Sequence, residues 1–380
     1  MAVYDVSPAH CEALNKPVEL TVFALIFGQL LYVVASILQG SYLGGAPNDF
    51  VDVWAAGQLV LHGTPAAAYD WPTHKAMEVA ALGHPFSGYF GWHYPPTYLP
   101  VAALLARLPY AGAEIFFLFS TFLAYLFCQQ RILRRRFDFL LAAAFPAVLA
   151  NIMAGQNGFL SAALLGGTLL TLNTRPILSG VLLGLLTYKP HLGPLFPIVL
   201  IATLAALASW VAFGSETWVA FFASIGHTSH AFLGEGWADF AKQQTAFGLV
   251  RTLGGSESLA WIVHSAFALS VTAAVTVLWR SRTDRDVKAA ALAAGALLTT
   301  PYLYTYDLVV LAVPLAFVWR LGRAHGFLPY ELTGIAFACL LVLIFPLVKA
   351  PVGFAAVLIV AALIARRAWP SVQRTAQAAI

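Results

Sequence analysis

Charge is what this sequence lacks most. Of its 380 residues only 10% are Asp, Glu, Lys or Arg, against 60% hydrophobic residues, and the mean hydropathy is +0.78. Ordinary soluble domains carry about 25% charged residues. So few charges cannot cover a water-facing surface, so lipid must be the solvent for most of the chain, and a soluble domain of useful size is excluded. The net charge of +4 is small for the length and suggests no nucleic-acid partner. Cysteine is scarce too: Cys11, Cys128 and Cys339 lie far apart, the last two in apolar runs, so neither a disulfide framework nor a metal cluster is expected. No cleavable signal pattern opens the chain, and no glycine-rich phosphate loop follows a strand, so no nucleotide site or other cofactor is expected. Among His62, His74, His84, His93, His227 and His230 no two stand at i, i+4 with a paired acid, which leaves no metal expectation.

Long apolar runs are abundant. They fall near 18–39, 112–130, 138–154, 157–173, 176–188, 190–213, 258–279, 288–303, 306–319, 329–347 and 350–365. Several are shorter than the roughly 17 to 25 residues of a straight span, and broken or short helices at membrane depth belong where they line a protein cavity. The expected fold is all-α: a polytopic helical bundle of about 10–12 spans forming one membrane domain over residues 1–380. Two stretches interrupt it. A first outer loop, 41–110, holds a polar and aromatic segment followed by the apolar run Tyr94–Leu108, which is read as re-entrant or interfacial. A second, 214–258, carries Glu216, Glu235, Asp239, Lys242 and Arg251. Lys and Arg set the orientation: Lys16 and the clusters Arg131–Arg136, Arg280–Lys288, Arg320–Arg323 and Arg366–Arg374 mark one side as cytoplasmic, which puts both polar stretches on the outer face. The run 190–213 resists this parity, because one crossing there would turn the later basic loops outward.

The most informative segment begins at Asn48–Asp49, just past the first span. Phe50, Trp54 and Gly57 recur at helical spacing, which describes a helix lying in the membrane surface. A carboxylate at its start sits at the water–lipid boundary, where it could act as a general base on a sugar hydroxyl. The alternative is that Asp49 or Asn48 only caps the helix. Asp52, three residues on, is the second candidate base or else a solvated carboxylate. Lys189 is a lone ammonium between apolar runs. An ionisable group so placed is a functional candidate, suited to holding a phosphate, unless it snorkels to the interface. Gln156 and Asn157 could bind sugar hydroxyls or satisfy a helix end. Asp307 could bind sugar, pair with Lys189 or cap its own helix, and Arg251 could hold a phosphate or be a solvated loop charge.

The order Asp49-Phe50, Trp54-Ala55-Ala56-Gly57, His62-Gly63-Thr64-Pro65, Tyr69-Asp70 and Tyr94-Pro95-Pro96 resembles the first outer loop of glycosyltransferase family 87, polytopic GT-C enzymes that use polyprenyl-phosphate sugars. Gly155-Gln156-Asn157 is similar to the family's Gly-Gln-Asn turn. Lys189-Pro190-His191 resembles its Lys-Pro-Gln turn, and Thr300 to Asp307 resembles its late Ser/Thr-Pro-aromatic turn. The resemblance covers roughly residues 48 to 310 and implies a GT-C helical bundle in the cell membrane with its active site on the periplasmic or extracellular side. It further implies a polyprenyl-phosphate hexose donor, most often mannose, a glycan or glycolipid acceptor, Asp49 as catalytic base, and His191 and Tyr306 among the substrate-binding residues. Two departures stand out: Tyr306 and Asp307 occupy positions where mycobacterial members carry histidines, and His191 replaces a Gln. A lipid-glycan flippase would instead require intramembrane charges in two matching halves. A glycan polymerase or ligase would favour arginine-rich outer loops.

Overall fold

In the computed structural model the chain is helical throughout. Among the described residues there is no strand, only an isolated bridge between Gln243 and Tyr304. The structure describes residues 8–39, 47–88, 90–135, 138–192, 199–348 and 350–377, without the side chains of 8–19, 21–22, 199–204 and 371–377. Residues 41–46 of the first outer loop, Arg136, Lys349 and the side chains of Cys11, Lys16 and Arg374 therefore lie outside the described residues.

Most of each apolar run is helical where it is described, and residues 193–198 of the run 190–213 lie outside the described residues. The first run lies in α1 (Pro8–Leu38); α2 (Phe50–Leu61), α3 (Trp71–Leu82) and α4 (Leu99–Leu105) follow as short helices, and α5 (Tyr110–Leu133) is a full span. Then come α6 (Phe139–Ala143), α7 (Ala147–Ala154), α8 (Gly158–Thr171) and α9 (Pro176–Leu185). Pro146 is what splits the run 138–154: with no N–H to donate and a ring that crowds the preceding turn, it ends α6 and opens α7. The rest of the chain is α10 (Val199–Ser229), α11 (Ala246–Thr252), α12 (Glu257–Arg280), α13 (Arg285–Thr299), α14 (Ala312–His325), α15 (Glu331–Val348) and α16 (Val352–Gln377). Among the described residues six helical stretches are long and apolar enough to cross a membrane: 110–133, 205–234, 257–280, 305–325, 331–348 and 352–370. This is a multi-pass membrane protein.

The awkward run 190–213 does not stop at its polar neighbour. Helix α10 continues to Ser229, so the stretch expected as the second outer loop opens with about four turns of helix. Gly214, at φ 78° and ψ 168°, divides α10 into arms 199–213 and 215–229. Few residues besides glycine adopt that backbone, so the bend is encoded there.

Packing orders the bundle from inside out. The stretch 305–325 is the most buried of the long helices, whereas α12 turns most of its apolar side chains outward, as a lipid-facing helix must. Alanine-rich α13 lets α12, α14 and α16 approach closely. In the loop layer, Gly57 lies so near Ala102 that any Cβ would overlap its carbonyl. Trp54 and Gln58 of α2 donate to the carbonyls of Leu108 and Ala106 at 3.0 and 2.7 Å. The loop layer is thereby fixed to the start of α5.

Helix α5 joins two chemically distinct ends. At the end where it finishes, Arg320 pairs with Asp286 at 2.9 Å and Trp319 donates to Asp138 at 3.3 Å, beside Arg134 and Arg135. Residues 48–49, 94, 156–157, 189, 243–244 and 303–307 assemble at the end where α5 begins.

Candidate active site

The site is built from helix ends and tight turns, where backbone groups are free and polar side chains are held. The capping alternatives for Asn48 and Asp49 separate cleanly. Asn48 Oδ1 accepts from the Phe50 N–H at 3.1 Å, and Asn48 Nδ2 donates to Glu114 Oε1 at 2.6 Å. Asp49 occupies the N-cap position of α2 but makes no side-chain cap bond. Its N–H donates to the Ala154 carbonyl at 2.9 Å, and its Oδ2 accepts from Gln156 Nε2 at 2.7 Å. The carboxylate thus turns away from its own helix toward the Gly155-Gln156-Asn157 turn.

That turn ends α7 with Gly155 at φ 64°, and a Cβ on Gly155 would stand 2.7 Å from Asn48 Oδ1. Glycine is required both for the left-handed backbone and for the close approach. Asn151 closes the turn by donating to the Gln156 carbonyl at 2.9 Å and accepting from the Gly158 N–H at 2.8 Å. Tyr94 is the hub. Its hydroxyl donates to Gln156 Oε1 at 3.2 Å and accepts from Asn157 Nδ2 at 2.7 Å. Behind it, the Tyr98 ring stacks on Trp92 and Tyr188, and Tyr188 donates to the Asn157 carbonyl at 3.2 Å.

Lys189 and Asp307 form a buried ion pair through Lys189 Nζ and Asp307 Oδ1, with side chains 4% and 2% exposed. Asp307 Oδ2 also accepts from the Tyr304 N–H at 3.3 Å, so it caps the 3-10 turn Thr305–Leu311 as well as pairing with the lysine. Both readings of Asp307 that do not involve sugar are realised. Tyr306 lies with its ring centroid 5.7 Å from Lys189 Nζ, and His191 faces Tyr302 with ring centroids 6.1 Å apart.

The electrostatics join these pieces into one site. Burial raises the Asp49 carboxyl from 3.8 to about 6, against the lowering effects of the Gln156 hydrogen bond and the Lys242 charge. Asp307 raises it further and Lys189 lowers it, so both stand within electrostatic reach. Asp52 is 5% exposed with Oδ1 unbonded, and burial, with Asp49 and Glu78 nearby, holds it well above the usual carboxylate range. It is a buried group rather than the solvated carboxylate of the second sequence reading.

Seven of the nine candidate residues gather here: Asp49, Asp52, Gln156, Asn157, Lys189, Tyr306 and Asp307, with His191 at the margin through Tyr302. Arg251 does not join them. Its guanidinium donates to the carbonyls of Gly255 and Gly234 at 2.9 and 2.7 Å and lies 4.4 Å from the Phe240 ring centroid, which makes it a clamp on its own loop. Sequence reasoning overlooked Lys242, which is exposed and is the cation with the largest effect on Asp49. The segment after it is pinned to the late aromatic turn by the Gln243–Tyr304 bridge and by the Gln244 N–H donating to the Leu303 carbonyl at 2.7 Å. No spacing rule links residue 242 to residue 49; only the fold does.

The family model for glycosyltransferase family 87 matches residues 92–305, more than half of the chain. Gln156, Asn157, Lys189, His191, Lys242 and Arg251 fall inside the matched stretch. Asp49, Asp52, Tyr306 and Asp307 fall outside it, and Asp49 and Asp307 are joined to it by the Gln156 hydrogen bond and the Lys189 ion pair. No curated protein and no solved structure matches the chain.

Proposed function

Given that this chain belongs to glycosyltransferase family 87, we propose that it transfers a hexose, mannose by resemblance, from a polyprenyl phosphate to an acceptor hydroxyl on a glycan or glycolipid at the outer face of the cell membrane. The acceptor oxygen attacks the anomeric carbon as the bond from that carbon to the phosphate oxygen breaks. Asp49 takes the hydroxyl proton, polyprenyl phosphate leaves, and the anomeric centre inverts. The observation that carries this reading is the Asp49 carboxylate, free of capping duty, held by Gln156 at 2.7 Å and raised to about 6. A base titrating near the working pH is ionised enough to accept a proton and basic enough to pull it.

The charges divide the remaining work. Lys189 is buried against Asp307, so together they contribute little net charge to a bound phosphate. In this reading the pair supports the wall that carries Tyr306. Lys242, exposed and close to Asp49, is the cation available to the donor phosphate and to the charge that grows on it as the bond breaks. Gln156 and Asn157 orient the base and, through Tyr94, the sugar hydroxyls.

Incubating the purified protein with radiolabelled polyprenyl-phosphate mannose and acceptor glycolipid tests the reading. The wild type should release polyprenyl phosphate and label the acceptor, and Asp49→Asn should lose about 10²–10⁴-fold in rate while keeping its fold. Lipid moved across vesicles with no polyprenyl phosphate released would favour a transporter and end the proposal.

A further inference from the structure

About 22 Å along α5 from Glu114, and hence far from the site just described, a separate feature has no part in the chemistry. Gln129 is fully buried, yet neither its Nε2 nor its Oε1 has a hydrogen-bond partner in the protein. Buried amides are nearly always bonded, and leaving one unpaired is costly. Gln129 lines a cavity of about 120 Å³ between α5, α6, α14 and α15, whose other walls include Leu133, Phe145, Leu315, Trp319 and Cys339. The lining is almost wholly apolar apart from this amide. Such a pocket suits an alkyl segment that carries one neutral polar group at the level of Gln129.

Depth and charge narrow the ligand. Gln129 lies one turn, about 6 Å, inside the end of α5, close to the thickness of the interfacial layer that separates hydrocarbon from water. Ester carbonyls of a glycerophospholipid lie at that level. Arg134 and Arg135 follow just past the helix end, both exposed and neither paired with a carboxylate among the described residues. Arg320 is already committed to Asp286, and Trp319, next to it, lines the pocket and donates to Asp138. Basic clusters at this depth attract anionic headgroups. We infer that this pocket binds one anionic glycerophospholipid of the leaflet opposite the active site. Its ester carbonyl accepts from Gln129 Nε2, the first carbons of its acyl chain fill the cavity, and its phosphate meets Arg134 and Arg135. The site is independent of the glycosyl-transfer reading, since it uses none of those residues.

The test compares phosphatidylglycerol with phosphatidylcholine of identical chains, added to the delipidated full-length protein in detergent. Native mass spectrometry and thermal melting are the readouts. The wild type should retain one phosphatidylglycerol most tightly and gain several degrees in Tm. Gln129→Leu should weaken retention about tenfold, and Leu315→Trp, which fills the cavity while keeping the amide, should do the same. A photoactivatable phosphatidylglycerol used on the wild type makes the test independent of how the variants fold: its adducts should map to α5, α14 and α15 around the pocket. Equal retention by wild type and both variants, equal retention of phosphatidylcholine, or adducts confined to other surfaces would each overturn the inference.

Discussion

Asp49 begins a helix and yet does not serve it. The free N–H groups at the start of α2 are met by Asn48, and this leaves the aspartate to Gln156. Two neighbouring polar residues have divided the labour that sequence alone left undecided between them. Asp52 shows how three positions change a carboxylate's prospects. It lies on the buried face of α2, where burial and the nearby Asp49 and Glu78 disfavour its ionised form. A buried carboxyl whose ionised form is disfavoured is a poor acceptor for the hydroxyl proton, so Asp52→Asn, an isosteric neutral change, should keep turnover within about tenfold of wild type. A loss in that variant as deep as in Asp49→Asn, measured with the same donor, would transfer the base role to Asp52. Lys242 carries the complementary lesson. It stands in a polar stretch among several charges of similar appearance, and nothing in its neighbours marks it out. Arg251 had the better sequence credentials for phosphate, but the carbonyls of Gly234 and Gly255 occupy its donors.

Among elements, the short turns matter more than the long spans. The Gly-Gln-Asn turn was legible through its resemblance to the family's, and the structure supplies the local reasons: a left-handed backbone at Gly155, then two amides at the opening of α8. The Lys189 turn was legible because an ammonium among apolar residues is costly unless something answers it. What answers it, Asp307, lies more than a hundred residues away, and pairing at that range is set by packing alone. The pair joins the segment before α10 to the turn before α14. Removing one partner strands a buried charge, which costs about 3–5 kcal/mol, whereas replacing both by apolar residues of similar volume is often nearly neutral. Lys189→Met should therefore destabilise the protein strongly, and the double variant Lys189→Met, Asp307→Leu should recover most of that loss in detergent melting curves. A double variant no more stable than the single one would contradict the pairing. Helix α10 was the least legible element. Its sequence changes from apolar to mixed at Gly214, a change that reads as a span giving way to a loop, but 215–229 contains a single acidic residue and aromatic groups that pack on Tyr69 and Trp71. Those tertiary contacts keep it helical.

For the whole molecule, the segregation of charge read from the sequence has a spatial counterpart. Arg320 with its partner Asp286, and Arg134 near them, lie at one end of the bundle, and the candidate site lies at the other. Among the described residues six helices are long enough to cross unaided and several other apolar runs form shorter ones; a bundle that buries short helices tolerates them, and sequence length alone does not reveal which helices are buried. The proposed orientation has the basic end toward the cytoplasm, as the positive-inside rule expects. Single cysteines placed at exposed His62 and at Arg282 in a cysteine-free background should react with an impermeant maleimide from opposite sides of sealed vesicles: residue 62 from outside and residue 282 only after permeabilisation. Labelling of residue 62 from the cytoplasmic side would put the candidate site on the wrong face for a lipid-borne donor of the outer leaflet.

The most direct measurement is the pH dependence of kcat/KM for wild type and Gln156→Leu. The Asp49 carboxyl must be ionised to act, so the wild-type rate should rise through a limb near pH 6 and level off above it. Gln156 lowers that carboxyl by donating to it, so its loss should move the limb to higher pH while the alkaline plateau, reached more slowly, survives at reduced height. A limb far from pH 6, or one that Gln156→Leu leaves in place, would contradict Asp49 as the base.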